Sequence, residues 1–311
     1  MLFRNYFYRP IWNIARVDEN ITGYLRSREA RGVYWCTQAS GDLFLADPFA
    51  LTVDGKTVVL AEEFDYAKGR GRIVALEDEM HPQSARVAIE EPYHLSFPFL
   101  VEDGGHVYCI PESYQAREIT LYRALAFPTS WIREATLVSD FAGNDSTVVR
   151  YGNKWWMFST DYDMGFSSAL CVFYADRLSG PWHAHPMNPV KVDVRSACSA
   201  GTPFQHDGSL YRPAQDCSQG YGRRIVINRV ATLTETQFAE EPVAIVEPYP
   251  GRYNAGTHTL SAAGGRTYVD GLSYAFHPGG LIALAKRQAK VALQTAGVPD
   301  DVIARIRRPR T

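Results

Sequence analysis

The stretch 46-ADPFALTVDGKTVVLAEEF-64 contains two short apolar segments on either side of the turn Asp54-Gly55. Glycine at a turn position can take the positive φ that a tight hairpin requires, so this stretch predicts two antiparallel strands. The pattern recurs four more times along the chain. The further copies are 96-SFPFLVEDGGHVYCIPES-113, 145-DSTVVRYGNKWWMFSTD-161, 202-TPFQHDGSLYRPAQD-216 and 257-THTLSAAGGRTYVDGLS-273.

The turn glycines of the five copies recur at a nearly constant interval. Gly55, Gly104, Gly152, Gly208 and Gly264 are 49, 48, 56 and 56 residues apart. A repeat of about fifty residues with about four strands is the signature of a β-propeller in which each repeat forms one blade. The sequence therefore predicts an all-β fold, a five-bladed β-propeller.

The ends of the chain depart from the hairpin pattern. The segment 11-IWNIARV-17 alternates like a strand, whereas no convincing pair of strands follows 266-RTYVDGLSY-274. Propellers commonly close their ring by lending a strand from one terminus to the blade formed by the other. We therefore expect the N-terminal strand to complete the last blade, within a propeller domain over residues 1–275.

The C-terminal segment has a different periodicity. In 280-GLIALAKRQAKVALQTAG-297 the apolar residues follow helical spacing, and Gly297-Val298-Pro299 is a plausible helix stop. This pattern predicts a helical appendage over residues 276–311 that packs on the propeller. An oligomer contact through the same helix is the alternative.

Composition excludes several classes of partner. A net charge of −2 gives no basic footprint for nucleic acid. No run approaches the roughly eighteen apolar residues of a membrane helix, and the N-terminus is too interrupted by polar residues to be a signal peptide. The five cysteines are scattered without metal-type spacing, which favours thiols in a reducing compartment. We therefore expect a cytoplasmic protein.

Hairpin geometry predicts where functional side chains gather. The start of the first strand and the end of the second lie at the same end of a hairpin, so five such ends converge on one rim of the channel. A solvated turn residue explains one carboxylate there, but recurrence in four repeats favours a shared site. The strand starts offer Asp47, Asp145 and His258, and the strand ends offer Glu63, Glu112, Asp161 and Asp216, with Leu272 in the fifth copy.

Several motifs resemble a known family. Five segments are similar to the N-terminal domain of glucosamine inositolphosphorylceramide transferases: 44-FLADPFAL-51, 95-LSFPFL-100, 108-YCIPES-113, 180-GPWHAHPMNPVK-191 and 210-LYRPAQDCSQGYG-222. In the plant members of that group the sugar-transferring domain is a separate C-terminal module. The resemblance therefore does not by itself imply a transferase activity for the propeller.

The five blades also resemble, more distantly, the family 43 glycoside hydrolases. That resemblance implies that Asp47 is a general base, that Asp145 orients the acid and tunes its pKa, and that His258 in 256-GTHTL-260 lies near the channel axis. It also implies a structural calcium near His258, held through water, although no set of metal ligands stands out in the sequence.

The fourth blade departs from the hydrolase pattern. The hydrolases place an acidic Glu before a Gly-Pro there, whereas 197-ACSAGTPF-204 contains no carboxylate. A glycosidase of this kind needs two carboxyl groups that flank the scissile bond. Glu112 and Asp216 are the first candidates for a replacement acid and Asp161 is the next, and each has a rival role in binding sugar hydroxyls.

Two arginines occur near the same mouth of the fourth blade. Arg195 and Arg212 suggest a phosphate or carboxylate on the ligand, and ion pairing with the surrounding acids is the alternative. Aromatic side chains near rim positions can stack on pyranose faces. The candidates for stacking are Trp35, Tyr114, Tyr162 and Tyr221.

These features favour a carbohydrate-active enzyme that hydrolyses or transfers a glycosyl group, with a carbohydrate or phosphorylated sugar as its ligand. The alternatives are a glycan-binding propeller that has lost the hydrolase acid and a protein-interaction scaffold, which does not need a rim of acids. The predicted catalytic residues are Asp47, Asp145 and Glu112. The predicted substrate-binding residues are Glu63, Asp161, Arg195, Arg212, Asp216 and His258.

Overall fold

The computed structural model describes residues 7–26, 32–37, 42–77 and 80–277. In this part of the chain the strands form five antiparallel sheets, one for each predicted repeat, which confirms the five-bladed, all-β propeller. The helical appendage predicted over 276–311 lies almost wholly outside the described residues. It stays a prediction, as do the domain boundary at residue 275 and the oligomer contact.

The first four blades are formed by consecutive strands. Blade 1 contains β3 (Leu43–Val53), β4 (Lys56–Asp65), β5 (Arg70–Glu77) and β6 (Arg86–Ile89). Blade 2 contains β7 (Ser96–Asp103), β8 (His106–Glu112), β9 (Glu118–Ala126) and β10 (Ser130–Ser139). Blade 3 contains β11 (Gly143–Tyr151), β12 (Lys154–Asp161) and β13 (Ala169–Ala175), with β14 (His183–Ala184) and β15 (Lys191–Val192) both paired to β13. Blade 4 contains β16 (Phe204–His206), β17 (Ser209–Asp216), β18 (Arg224–Leu233) and β19 (Phe238–Val246).

The fifth sheet combines strands from both ends of the sequence. Its order is β20 (Leu260–Ala263), β21 (Arg266–Phe276), β1 (Tyr8–Val17) and β2 (Val33–Trp35). The described helices are short and consist of 3₁₀ turns at Ile21–Leu25, Pro82–Ser84 and Tyr114–Ala116 and a single α-turn, α1, at Tyr162–Gly165. Within the described ranges, no helix is long and apolar enough to cross a membrane.

The chain divides into two compact units. Residues Trp12–Leu272 form one of them and contain the cavity described below. The other unit comprises residues 1–11 and 273–311. Within that second unit the rings of Tyr8 and Phe276 meet edge to face at 5.9 Å, and the backbone N–H of His277 donates to Phe7 O at 2.8 Å.

Buried aromatic rings fill the space between the first two blades. The ring of Phe49 on β3 meets Phe97 and Phe99 of β7 edge to face at 4.7 and 5.5 Å. All three side chains are almost completely buried. Such contacts stabilise the fold beyond the area that they bury, by about 0.5–1.5 kcal/mol for each pair. They fix the spacing of β3 and β7, the strands whose starts approach the cavity.

The first strands of blades 1 to 3 share one irregularity. Each has a β-bulge, with pairing interrupted between Ala46 and Phe49, Ser96 and Phe99, and Asn144 and Thr147. In each bulge, the residue directly after Ala46, Ser96 or Asn144 has a positive φ. Positive φ angles are uncommon for residues other than glycine. Bulges often direct a side chain into a functional site. The three positive-φ residues are Asp47 (52°), Phe97 (44°) and Asp145 (49°).

Close packing between blades 4 and 5 predicts a strong effect of one substitution. Gly201 has a φ of 132°, and a Cβ there would lie 1.9 Å from Leu260 O. Gly220 has the same φ but no atom within 4 Å of such a Cβ. We expect both alanine variants to show the strain of the backbone conformation, about 1–3 kcal/mol. Gly201→Ala should lose at least about 2 kcal/mol more because of overpacking.

Urea denaturation of the two variants measures this difference. Gly220→Ala serves as the control, because its substitution differs from Gly201→Ala only in the space around the new methyl group. Equal free energies of unfolding for the two variants would contradict the close approach of the blades.

Candidate active site

A cavity of about 250 Å³ lies within the unit Trp12–Leu272. Its carboxyl groups come from β3, β4 and β8, whereas its histidines and most of its aromatic rings come from strand ends and connecting loops. The lining residues are Trp12, Phe44, Ala46, Asp47, Glu62, Phe64, His94, Ser96, Glu112, Asn144, Tyr162, Phe166, Tyr221 and His258. The structure therefore brings together Asp47, Glu112 and His258 of the predicted residues, and it adds Glu62 to them.

Asp47 is held by hydrogen bonds to both of its carboxylate oxygens. Thr259 Oγ1 donates to Oδ1 at 2.9 Å, and the backbone N–H of Phe97 donates to Oδ2 at 3.2 Å. His258 Nε2 lies 3.6 Å from Oδ1. Burial raises the pKa of Asp47, and the charge of His258 works against that effect. Asp47 is therefore a firmly oriented group with little freedom to change partners.

His258 lies between two carboxylates and against an indole ring. Its Nδ1 forms a short contact with Asp270 Oδ2, and its ring stacks on Trp12 at 3.9 Å with an angle of 7° between the planes. Burial favours the neutral ring, but the charges of Asp270 and Asp47 outweigh it, so the pKa of His258 is raised. This environment favours the protonated imidazolium.

The calcium that the hydrolase resemblance implies does not fit these residues well. Single donor atoms of Asp47, His258 and Asp270 lie within 4.8 Å of one another, which is the spacing of a metal site. However, the oxygens of Asp270 already accept from the backbone N–H groups of His258, Thr259 and Asp47. Calcium prefers six to eight oxygen ligands, whereas the oxygens of Asp47 are also engaged, by Thr259 and Phe97. The three groups form an ion-pair network rather than an open cage.

We predict that metal removal leaves the fold unchanged. Dialysis against a chelator should not shift the melting temperature, because His258 and its two carboxylates stabilise one another without an ion. A thermal melt with and without chelator, together with elemental analysis, checks this expectation. A stoichiometric metal whose loss lowers the melting temperature would contradict it.

Glu112 and Asp145 form a second carboxyl network beside the cavity. The backbone N–H of Asp145 donates to Glu112 Oε2 at 3.2 Å. Burial is the main cause that raises the pKa of Glu112 to about 7, while hydrogen bonds with Asp145 lower it. Burial and the charge of Glu112 raise the pKa of Asp145 well above its ordinary value. Asp145 does not line the cavity, and its backbone N–H holds the Glu112 carboxyl group in place.

The blade-4 side of Asp145 is neutral and polar. Gln215 Nε2 donates to Asp145 Oδ2 at 2.7 Å, and Cys198 Sγ donates to the same oxygen at 3.0 Å. The hydrogen bond from Cys198 favours the ionised form of Asp145, but burial and the charge of Glu112 outweigh it and keep the pKa of Asp145 raised.

Glu62 lines the cavity although its neighbour Glu63 was the predicted residue. Glu62 pairs with Ala46, just before the bulge, as Glu112 pairs with Ser96 in blade 2. Successive strand residues face opposite sides of a sheet, so Glu63 faces away from the cavity. There it accepts a hydrogen bond from Arg72 Nε at 2.8 Å.

Two other predicted carboxylates are also engaged away from the cavity. Asp161 caps α1 by accepting from the backbone N–H of Asp163 at 2.9 Å. Asp216 accepts from Ser218 Oγ at 2.6 Å and from Arg224 Nε at 2.9 Å. Neither lines the cavity, and each satisfies its charge within its own loop or strand pair.

The two predicted arginines do not line the cavity either. Arg212 is fully buried and donates two hydrogen bonds to Glu240, at 2.9 and 2.6 Å. Arg195 is 71% exposed and pairs with Asp193 at 2.9 Å. The ion-pairing alternative therefore describes both residues in this structure, and the phosphorylated ligand stays a prediction.

Aromatic rings border much of the cavity mouth. Tyr114 stacks on Tyr162 at 4.4 Å, and Tyr162 lies 5.7 Å from Phe166. Phe166 lies 6.0 Å from Tyr221, which lies 6.4 Å from Trp12. Of the predicted stacking residues, Tyr162 and Tyr221 line the cavity and Tyr114 supports Tyr162. The fourth, Trp35, packs instead on Tyr253 at 4.7 Å.

The raised pKa of Glu112 predicts a pH-dependent gain of stability on its replacement. The glutamate contributes stability in full below its ordinary value of 4.5, and this contribution is lost as the pH rises through about 7. A shift of this size corresponds to about 3 kcal/mol. Glu112→Gln keeps an acceptor for the Asp145 N–H but cannot ionise.

Thermal melts at pH 4.5 and pH 8 check this prediction. Glu112→Gln should melt several degrees above the wild-type protein at pH 8, and the difference should shrink at pH 4.5. A variant that is less stable than the wild-type protein at both pH values would contradict the burial of an ionisable Glu112.

The described strands define the architecture as a five-bladed β-propeller. Solved glycoside hydrolases share this fold. A family 117 glycoside hydrolase from Zobellia galactanivorans superposes with a TM-score of 0.52 at 14% identity, covering 84% of this chain and 90% of that one. An exo-β-1,3-galactanase from Clostridium thermocellum gives 0.50 at 11% identity, over 73% and 61% of the two chains. At these identities the similarity shows the fold alone.

Sequence comparison then identifies the family. Residues 33–258 match the family model of the N-terminal region of glucosamine inositolphosphorylceramide transferase 1, and the chain belongs to this family. The transferase from rice, Oryza sativa subsp. japonica, is 34% identical over 220 residues, which are 67% of this chain and 29% of that protein. The transferase from Arabidopsis thaliana is 34% identical over 210 residues, 64% and 27% of the two chains. The chain thus spans less than a third of the length of these relatives.

Proposed function

We propose that this protein is a carbohydrate-active enzyme that hydrolyses or transfers a glycosyl group in the cavity. The observation that carries the proposal is the set of three buried carboxyl groups, Asp47, Glu62 and Glu112, at one cavity bordered by aromatic rings. Acid–base chemistry on a glycosidic bond requires two carboxyl groups in different protonation states. Burial raises the pKa of all three groups, which allows a protonated acid to persist beside an ionised base.

The size and walls of the cavity support a sugar as its occupant. Its volume of about 250 Å³ lies just below the usual range for drug-sized ligands, about 300–1,000 Å³, and suits a single sugar ring. Tyr162, Phe166 and Tyr221 are 44%, 40% and 46% exposed at its mouth. Exposed aromatic faces stack on the apolar faces of pyranose rings, so the mouth is suited to the remainder of a glycan.

The charge of the cavity favours a neutral sugar over a phosphorylated one. Among the described residues that line it, there is no lysine or arginine, and the charge of His258 is already paired with Asp47 and Asp270. Three carboxyl groups would repel a phosphate wherever they are ionised. A neutral glycan or the sugar head of a glycolipid therefore suits the cavity better, and the names of the plant relatives make glycolipid synthesis a reasonable setting.

A glycan-binding propeller without catalysis is the second candidate. The observation that favours it is the fourth blade, where Ser199 and Ala200 are fully buried at the place of the hydrolase acid. If no other carboxyl group replaces that acid, the cavity would hold a sugar without cleaving it. The cytoplasmic location predicted from the sequence stays a prediction under either function.

A comparison of neutral and phosphorylated substrates tests the proposal. The wild-type protein should turn over at least one member of a panel of neutral 4-nitrophenyl glycosides and should not act on the matching sugar 1-phosphates. Glu112→Gln should lower turnover by about two to four orders of magnitude, the usual contribution of general acid–base catalysis. Arg195→Ala should leave turnover unchanged, because this arginine does not line the cavity.

Release of nitrophenolate and of inorganic phosphate provides the measurements. If the wild-type protein turns over sugar phosphates and Arg195→Ala does not, the result would support the phosphorylated ligand. Failure on the whole panel, with glycan binding by calorimetry that survives Glu112→Gln, would favour the binding module.

A further inference from the structure

Glu62 differs from the other carboxyl groups of the cavity in its lack of partners. The residue is 6% exposed, yet among the described residues its carboxyl group makes no hydrogen bond within 3.5 Å. Asp47 and Glu112, by contrast, both accept backbone N–H groups. The carboxyl oxygens of Glu62 are not sealed in the protein interior but open onto the cavity, where a group of the ligand can reach them.

His94 lies beside Glu62 in a defined tautomer. The backbone N–H of Gly71 donates to His94 Nδ1 at 2.8 Å, so this nitrogen carries no proton. A neutral imidazole then carries its proton on Nε2. Burial lowers the pKa of His94 to about 4, which favours this neutral form. His94 Nε2 lies 3.6 Å from Glu62 Oε1, just beyond hydrogen-bonding distance.

Gly71 provides the space that Glu62 occupies. A Cβ at this position would lie 2.3 Å from Glu62 Oε1 and 2.6 Å from Leu95 O. The same glycine therefore orients His94 through its N–H group and accommodates the glutamate through its missing side chain. The geometry of Glu62 and His94 depends on this one backbone position.

We propose, on the basis of the function proposed above, that Glu62 is the proton donor that replaces the missing acid of the fourth blade, and that His94 is its positioning residue. Glu62 and Glu112 occupy equivalent positions on β4 and β8, each opposite the residue that precedes the bulge. In this assignment, two carboxyl groups from adjacent blades act on the same glycosidic bond.

The electrostatic environment divides the two roles. Asp47, Glu112 and Asp270 are the charged groups around Glu62, and His94 beside it is neutral. Burial, followed by the charges of these three acids, raises the pKa of Glu62 well above its ordinary value. Glu112 has two hydrogen-bonding partners, Asp145 and Ser96, that favour its ionised form, whereas Glu62 has none among the described residues. This difference in partners assigns Glu62 as the acid and Glu112 as the base.

The reaction balances with these two groups and one acceptor. The oxygen of water, or of an acceptor hydroxyl, bonds to the anomeric carbon and gives its proton to Glu112. The glycosidic C–O bond breaks with its electron pair on the leaving oxygen, which takes the proton of Glu62. The new Glu62 carboxylate can then accept a hydrogen bond from His94 Nε2, and proton exchange through water restores both groups.

A comparison of leaving groups tests the assignment. Glu62→Gln should lower turnover of alkyl glycosides by about two to four orders of magnitude but affect 4-nitrophenyl glycosides far less, because nitrophenolate leaves without a proton. Glu63→Gln is the matched control, with the same substitution one residue further along β4, on the opposite face, and should leave both rates unchanged. The fall in rate at high pH, which is the basic limb of the pH–rate profile and reports the loss of the proton from the acid, should disappear in Glu62→Gln.

His94 variants separate positioning from a structural role. Loss of the Nε2–H donor in His94→Ala should move the basic limb of the profile to higher pH, because the Glu62 carboxylate loses its stabilising donor. His94→Gln, which retains an amide donor of similar reach, should restore the limb. A lowered rate with an unmoved limb in both variants would show that His94 is structural.

Carbon-13 NMR titration of the glutamate carboxyl groups tests the same coupling without a substrate. Glu62 should titrate well above the ordinary range of a glutamate, and its pKa should fall in Glu112→Gln, which removes one of the charges that raise it. Two results would overturn the assignment but leave the proposed function intact: a Glu62 that titrates in the ordinary range of a glutamate, or a Glu62→Gln variant that keeps turnover of alkyl glycosides while Glu112→Gln loses it. A wild-type protein without turnover of any glycoside would overturn both.

Discussion

Carboxylates that accept backbone N–H groups from the next blade link most of this propeller together. Asp270 of blade 5 accepts from Asp47 at 3.4 Å, Asp47 of blade 1 accepts from Phe97 at 3.2 Å, and Glu112 of blade 2 accepts from Asp145 at 3.2 Å. All three donors are bulge residues of positive φ. A bulge removes an N–H from the strand ladder, and a buried carboxylate needs a donor, so each group satisfies the other.

The same arrangement explains why the chemistry lies at the centre of the fold. The bulge of β3 directs Asp47 toward the cavity, and Glu62 and Glu112 enter it from positions opposite the residues that precede two of the bulges. Burial raises the pKa of all three carboxyl groups. A side chain that joins two blades cannot easily leave its position, so Asp47 and Glu112 are oriented before any ligand binds. Glu62 is the exception, because its carboxyl group contributes nothing to the links between blades and remains available to a ligand.

Much of the fold could be predicted because its signals are local. The turn glycines and alternating strands gave the blade number, and Asp47 and His258 were recognisable from the motifs around them. Glu62 was missed because equal distances from Gly55 and Gly104 lead to Glu63 and Glu112, although Gly55 is the second turn residue in Asp54-Gly55 and Gly104 is the first in Gly104-Gly105. Counted from the second turn residue, Glu62 and Glu112 are both seven residues away.

Other features depend on contacts between distant parts of the chain. Arg212 resembles a ligand-binding residue until Glu240, 28 residues further along, is found to neutralise it in the core. No sequence motif predicts that Trp12 lines the cavity. Trp12 reaches it only because β1 joins β21 in the fifth sheet. Contacts such as Arg212 with Glu240 and Trp12 with His258 form only in the folded chain, so the sequence alone does not reveal them.

The stacking of Trp12 on His258 has a consequence for the order of events during synthesis. Almost the whole propeller sequence lies between Trp12 and His258, so β1 is the strand of the propeller that waits longest for its partners. Fragments that stop before His258 lack the ring, the ion pairs around it and the strand that pairs with β1. Nearly all of the propeller must therefore be translated before the cavity can form.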